Sequence, residues 1–160
     1  MIIKGTGCYE NVKSGNLVSI TGDGGNAWGF YGNTYKKLAP RLYVWQYYDN
    51  NPDSLSENEL IDWYIKEFYE STLKNLDLYD LLSTLNQKFG DEIILLCHEF
   101  PSIELSKIYF CHRRLLADWI ELITGIIIPE ISIDGRGLIK YEQVYDLKPK
   151  IKKLLKDKIY

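Results

Sequence analysis

Sulfur and imidazole are scarce in this chain of 160 residues, which has three cysteines and two histidines. Three cysteines cannot form a complete set of internal disulfides, and no charged start followed by an apolar export segment lies near Met1. Both features lead us to expect a reducing, cytoplasmic setting with no disulfide and no structural bridge framework. Long apolar runs are missing too. None approaches the roughly 20 residues needed to span a bilayer, so a soluble protein without a membrane partner is expected. An excess of basic charge is also lacking. The net charge of −3 argues against a generally basic nucleic-acid binder, although a local basic patch remains compatible with it. Neither a Walker loop nor a dinucleotide fingerprint is present, and no cofactor is expected.

The residues present are those of an ordinary globular chain, 46% hydrophobic and 26% charged. The length suits one domain, read as spanning 1–160. Charge is unevenly placed. Asp49 to Asp91 carries ten acids and three lysines, whereas Lys140 to Tyr160 carries seven lysines and three acids. The basic end reads as an amphipathic helix over 140–160, with Ile151, Leu154 and Leu155 on one side; its lysines read as a solvated face or a separate surface.

Glu92 to Cys97 is a short apolar run bounded by Gly90-Asp91, the pattern of a buried strand in a parallel sheet. Leu115, Leu116, Trp119, Ile120 and Ile123 recur at helical spacing up to Gly125. Strand, loop and helix follow in order, so the fold class is α/β: a Rossmann-like, mostly parallel sheet flanked by helices. Leu17 to Ile20 reads as an early strand. Ser56 and Glu59 have capping-box spacing ahead of the apolar face Leu60, Ile61, Tyr64, Ile65 and Phe68. A further helix is read over Asp77 to Lys88, and Ile126 to Ile133 reads as an edge strand interrupted at Pro129. Arg41 to Tyr48 fits a strand or a short aromatic helix equally well.

Chemistry-bearing residues gather in two segments, Leu95-Leu-Cys-His-Glu99 and Cys111-His-Arg-Arg114, which hold both histidines and two of the three cysteines. Ligands of open parallel sheets bind at the carboxyl ends of strands, beside helix N-termini, where both segments would fall. Arg113 and Arg114 in a first helical turn oppose the helix dipole and need compensation. An anionic ligand or a bridge to Glu99 would each supply it. Cys111 at a helix start beside His112 and arginine has the setting of a low-pKa nucleophile, or else is a small buried hydrophobe. Glu99 and His112 are candidates for acid-base work, and His112 is alternatively a helix-start residue with a satisfied ring. Two Cys-His pairs invite zinc. Their spacing is not that of a standard finger, and adjacent residues on a strand or helix diverge, so no metal is expected. Gly22 to Gly32 holds five of the twelve glycines together with Trp28, Phe30 and Tyr31. It reads as a loop at the sheet edge, either a turn or a ligand cradle, with Trp28 and Tyr31 available to stack on a base or sugar.

The order of these segments resembles the domain-of-unknown-function family numbered 488 (DUF-488) between about Ser19 and Glu121. The matching pieces are Trp28, Tyr31 and Gly32; Tyr35 followed by Leu38-Ala39-Pro40; Leu95-Leu96-Cys97 with Glu99; and Cys111-His112-Arg113 opening a helix through Leu116 and Trp119. The resemblance implies a small intracellular α/β domain of bacteria and mobile or viral genomes, and brings no established reaction. It adds Tyr35 and Cys97 to the ligand-binding set. His98 departs from the aromatic or small residue expected there, and the loop Phe100 to Phe110 is longer than usual. The expectation is then a protein that binds or processes a nucleotide, nucleoside or nucleic-acid fragment. Glu99, His112 and Cys111 would do the chemistry, and Arg113, Arg114, Trp28, Tyr31, Tyr35 and Cys97 would hold the ligand. A binding module without chemistry, or a structural domain whose Cys-Glu-Cys-His-Arg cluster is only a core network, are the competing readings. The sequence does not set the oligomeric state.

Overall fold

The structure, a computed structural model, describes residues 2–10, 12–97, 111–131 and 147–158. They form one α/β domain on a four-stranded, all-parallel sheet. The strands are β1 (Ile3–Cys8), β2 (Asn16–Ser19), β3 (Asn33–Thr34) and β4 (Ile93–Cys97), in the order β1-β4-β2-β3. The helices are α1 (Leu42–Asn50), α2 (Glu57–Ser71), α3 (Leu78–Phe89), α4 (His112–Thr124) and α5 (Lys148–Lys158). None of the described helices is long and apolar enough to cross a membrane.

β4 lies between β1 and β2, and all five of its residues are buried. A strand covered on both faces needs an unbroken apolar sequence, which is what Ile93-Ile-Leu-Leu-Cys97 provides. The two-residue alternation then divides it. Ile93, Leu95 and Cys97 join the main core with α2, α3 and α4, whereas Ile94 and Leu96 join a smaller cluster with Tyr9, Val12 and Ile131. β1 escaped the sequence reading because Ile-Lys-Gly-Thr-Gly-Cys has neither alternation nor β-branched density. Its glycines serve close approach. A Cβ on Gly5 would stand 2.8 Å from Ile131 Cγ1, and one on Gly7 would stand 2.5 Å from Val12 Cγ2.

The capping box forms as read. Ser56 Oγ accepts from Glu59 N and Glu59 Oε1 accepts from Ser56 N, each at 3.2 Å. Arg41 to Tyr48 resolves as helix, with α1 lying on α2 through the close Tyr47–Trp63 ring pair. Glu130 makes a single parallel bridge to Thr6, so the described part of the Ile126–Ile133 segment sits at the sheet edge beyond β1. In the described part of the basic end, Lys152, Lys153 and Lys156 are exposed as a solvated face, while the other side of the helix is packed. α5 packs on α2 and α4, where Lys150 pairs with Asp62 and Lys148 with Glu121.

Candidate functional site

From β2 the chain continues outward to β3, while from β4 it runs through α4 to Glu130 on the far side of β1. Connections that leave neighbouring strands in opposite directions open a crevice at their carboxyl ends. Cys97 ends β4 there. Cys111 caps α4 in extended conformation, at φ −141° and ψ 141°, which brings it back over the strand it left fourteen residues earlier.

Nine successive residues of α4, from His112 to Ile120, are buried. A helix this enclosed is usually apolar all round, yet it carries His112, Arg113, Arg114 and Asp118. Each has partners. The Arg113 guanidinium, 2% exposed, holds Glu130 through Nε at 3.0 and 3.1 Å and through Nη2 at 2.6 Å. Its Nη1 donates to the sulfurs of Cys97 and Cys111 at 2.9 and 3.0 Å. Thr6 Oγ1 donates to Glu130 Oε1 at 2.7 Å. Arg114 Nη1 donates to Thr6 Oγ1 and the Ile128 carbonyl, and Nη2 lies 3.7 Å from Asp118. Arg114 Nε, also buried, has no hydrogen-bond partner. Glu130 and Asp118 thus supply the compensation that cations in a first helical turn require. Arg113 grips Glu130, a carboxylate that the sequence reading did not select, and Glu99 and His98 lie outside the described residues. Glu130 had one signal: a lone acid amid Ile126, Ile127, Ile128, Ile131 and Ile133 must be paired if it is buried.

The structure brings the sulfurs of Cys97 and Cys111 together within bonding reach, where the sequence led to an expectation of no disulfide. The parallel crossover causes the meeting, which is invisible in the spacing. Their Cα atoms are 7.7 Å apart. Cys8, at the end of β1, is in register with Cys97 and buried. His112 is 3% exposed; its Nε2 donates to the Ile20 carbonyl at 2.8 Å, and its ring lies against Phe68. That is the satisfied helix-start residue among the readings of His112. Cys97, Cys111 and His112 offer ligand atoms that all lie within 4.8 Å of one another. The expected divergence of adjacent residues fails here because Cys111 precedes the helix rather than lying within it.

The glycine-rich segment leaves β2 as a loop, pinned by a polar chain. Tyr9 Oη meets Ser19 Oγ at 2.7 Å and Thr21 Oγ1 at 2.9 Å, and Asp23 accepts from Thr21 Oγ1 and Gly25 N, both at 2.8 Å. The Gly25 amide, with help from Thr21, holds the Asp23 carboxyl below its ordinary value. Gly25 has φ 87°, and a Cβ there would strike the Tyr9 ring at 2.7 Å. Trp28 and Tyr31 stand out from this loop, 48% and 80% exposed. Tyr35 does not join them, since its ring is buried edge-on against Phe89 in the core.

Beyond Gly22, a cavity of about 520 Å³ opens between the segment after β3 and the end of α2. Lys36, Lys37 and Arg41 line it with Ser71, Thr72 and Asn75, and no acidic residue is among its described lining. The sequence reading passed over these cations because they are spaced along an ordinary polar stretch. Comparison of the chain with family models, curated proteins and solved structures finds no match.

Proposed function

We propose that the protein binds a phosphate-bearing nucleotide or a short nucleic-acid fragment at the carboxyl edge of its sheet. The observation that carries this is the cavity of about 520 Å³ with three cations and no described acid, in a chain of net charge −3. Gly22 follows β2 and Lys36 follows β3, so the cavity lies at the edge where parallel sheets take ligands. Its volume falls in the roughly 300–1,000 Å³ range of small-molecule sites. Trp28 and Tyr31 add exposed rings on the loop after β2, suited to stacking on a base. Phosphate contact passes to Lys36, Lys37 and Arg41, because Arg113 and Arg114 are committed to internal partners. Membership of the DUF-488 family is part of the same proposal and rests on the segment order given above.

Binding is favoured over turnover by the burial of His112 and Cys111, each 3% exposed and bonded internally. Glu99 keeps its candidacy as an acid-base group within this reading. The test is titration of a fluorescent oligothymidine and of a nucleoside triphosphate at low and high salt. If all three cations meet phosphates of a single strand, the slope of log affinity against log salt is about −2. The variant K36A/K37A/R41A is expected to weaken binding by roughly 10–100-fold, equivalent to about 1.4–2.8 kcal/mol. Equal binding by this variant would assign the three cations to the carbonyl end of α2, where positive charge is stabilising without any ligand.

A further inference from the structure

We propose that Cys97, Cys111 and His112 form a zinc site at the crevice between β4 and β2, built independently of the basic cavity. Three ligand atoms of suitable type lie within 4.8 Å of one another, and all three residues are buried. Two thiolates and one imidazole are a zinc donor set, and sites with three protein ligands keep a fourth position for water or substrate. Cys97 is fixed by the sheet and Cys111 by its extended backbone at the start of α4.

Spacing of the backbone favours an ion over a covalent bridge. The Cα atoms of Cys97 and Cys111 are 7.7 Å apart, whereas disulfides normally close over about 4.4–6.8 Å. An ion held about 2.3 Å from each sulfur spans a wider gap.

The surroundings of a metal site are already in place. His112 Nε2–H is held by the Ile20 carbonyl at 2.8 Å, a second-shell hydrogen bond of the kind that usually accompanies a ligating histidine. Arg113 Nη1 donates to both sulfurs. Glu130 balances the guanidinium, so the arginine does not oppose the ion with an uncompensated charge. In the reduced chain Zn²⁺ displaces two thiol protons, which pass to solvent, and forms two Zn–S bonds and one Zn–N bond.

The test uses the full chain with Cys8→Ser, so that only the two proposed ligand thiols remain. The protein is purified without added reductant and its thiols are counted after denaturation in chelator. Two reactive thiols and one zinc per chain by elemental analysis are expected. Replacing zinc with Co²⁺ should give intense sulfur-to-cobalt absorption with tetrahedral visible bands. H112Q should weaken zinc binding at least roughly 10-fold in competition with a chromophoric chelator, while circular dichroism confirms that it is folded. No thiols detected would assign the pair as a disulfide and overturn the proposal. Two thiols without cobalt–sulfur absorption would overturn it equally, and this readout on the folded wild-type ligand set depends on no ligand variant.

Discussion

Glu130→Gln isolates the internal arginine contact. In the native protein, three N–H···O approaches at 2.6, 3.0 and 3.1 Å join Arg113 to Glu130, and Thr6 adds a fourth bond to the carboxylate. The two side chains are 2% and 1% exposed, so water cannot replace what is lost. Gln keeps the shape, removes the charge and turns an NH₂ toward a group that only donates. Stranding a buried charge in this way costs about 3–5 kcal/mol. With a urea slope of about 1–3 kcal/mol/M, the midpoint should fall by roughly 1–5 M, and at about 2–4 °C per kcal/mol the Tm should fall by roughly 6–20 °C. The control is the double variant R113L/E130L, which removes both charges and should recover much of the loss. A Glu130→Gln unfolding free energy within about 0.5 kcal/mol of wild type, a surface-like effect, would falsify the claim that this pair is a closed internal contact.

Other perturbations probe separate parts of the molecule. Arg113→Lys keeps the charge but not the fork, and should destabilise less than Arg113→Ala while losing the paired grip on Glu130; equal denaturation midpoints for the two would refute a role for the planar geometry. The Asp23 carboxyl has its pKa depressed below the ordinary 3.8 by Gly25 and Thr21. The loop stability it contributes is therefore present above about 3.8 and lost as pH falls through the lower folded value. Gly25 amide exchange should accelerate over that acid range, and Asp23→Asn should abolish this step. Ser56→Ala removes one half of the capping box and should cost about 1 kcal/mol, measured by urea denaturation. Gly25→Ala combines φ 87° with a 2.7 Å approach to Tyr9. It should disorder the loop that presents Trp28, read as a loss of amide protection confined to 21–32.

Elements set by local pattern were legible. The all-apolar β4, the capping box at Ser56 and the helix start at His112 each follow from a few adjacent residues, and the parallel α/β class follows from their order. β1 was hidden because its central positions are selected for smallness against Ile131 and Val12 rather than for strand propensity. α1 stayed ambiguous because its aromatic residues suit both periods. In the candidate site, the strand-loop-helix unit pointed to Cys111, His112 and Arg113 at one helix start, while Glu99, expected to join them, lies outside the described residues. The partner of Arg113 was not legible: Glu130 arrives at the sheet edge beyond β1, a placement that no spacing within the chain encodes. The cations of the cavity were equally hidden, since Lys36, Lys37 and Arg41 become a group only when the end of α2 closes over them.

The position of β1 also governs the order of events during synthesis. Its residues are made before those of the other described elements, yet Ile3 pairs with Ile93, and Thr6 bonds Glu130 across 124 residues. At ribosomal rates of about 5–20 residues per second, those neighbours emerge roughly 5–25 s after β1. Until then the nascent chain carries a strand with both edges unpaired, followed by helices that have no sheet to cover. Closure of the fold therefore waits for the segment around Glu130 to leave the ribosome, and a chain arrested after α3 lacks every strand that β1 needs to pair with.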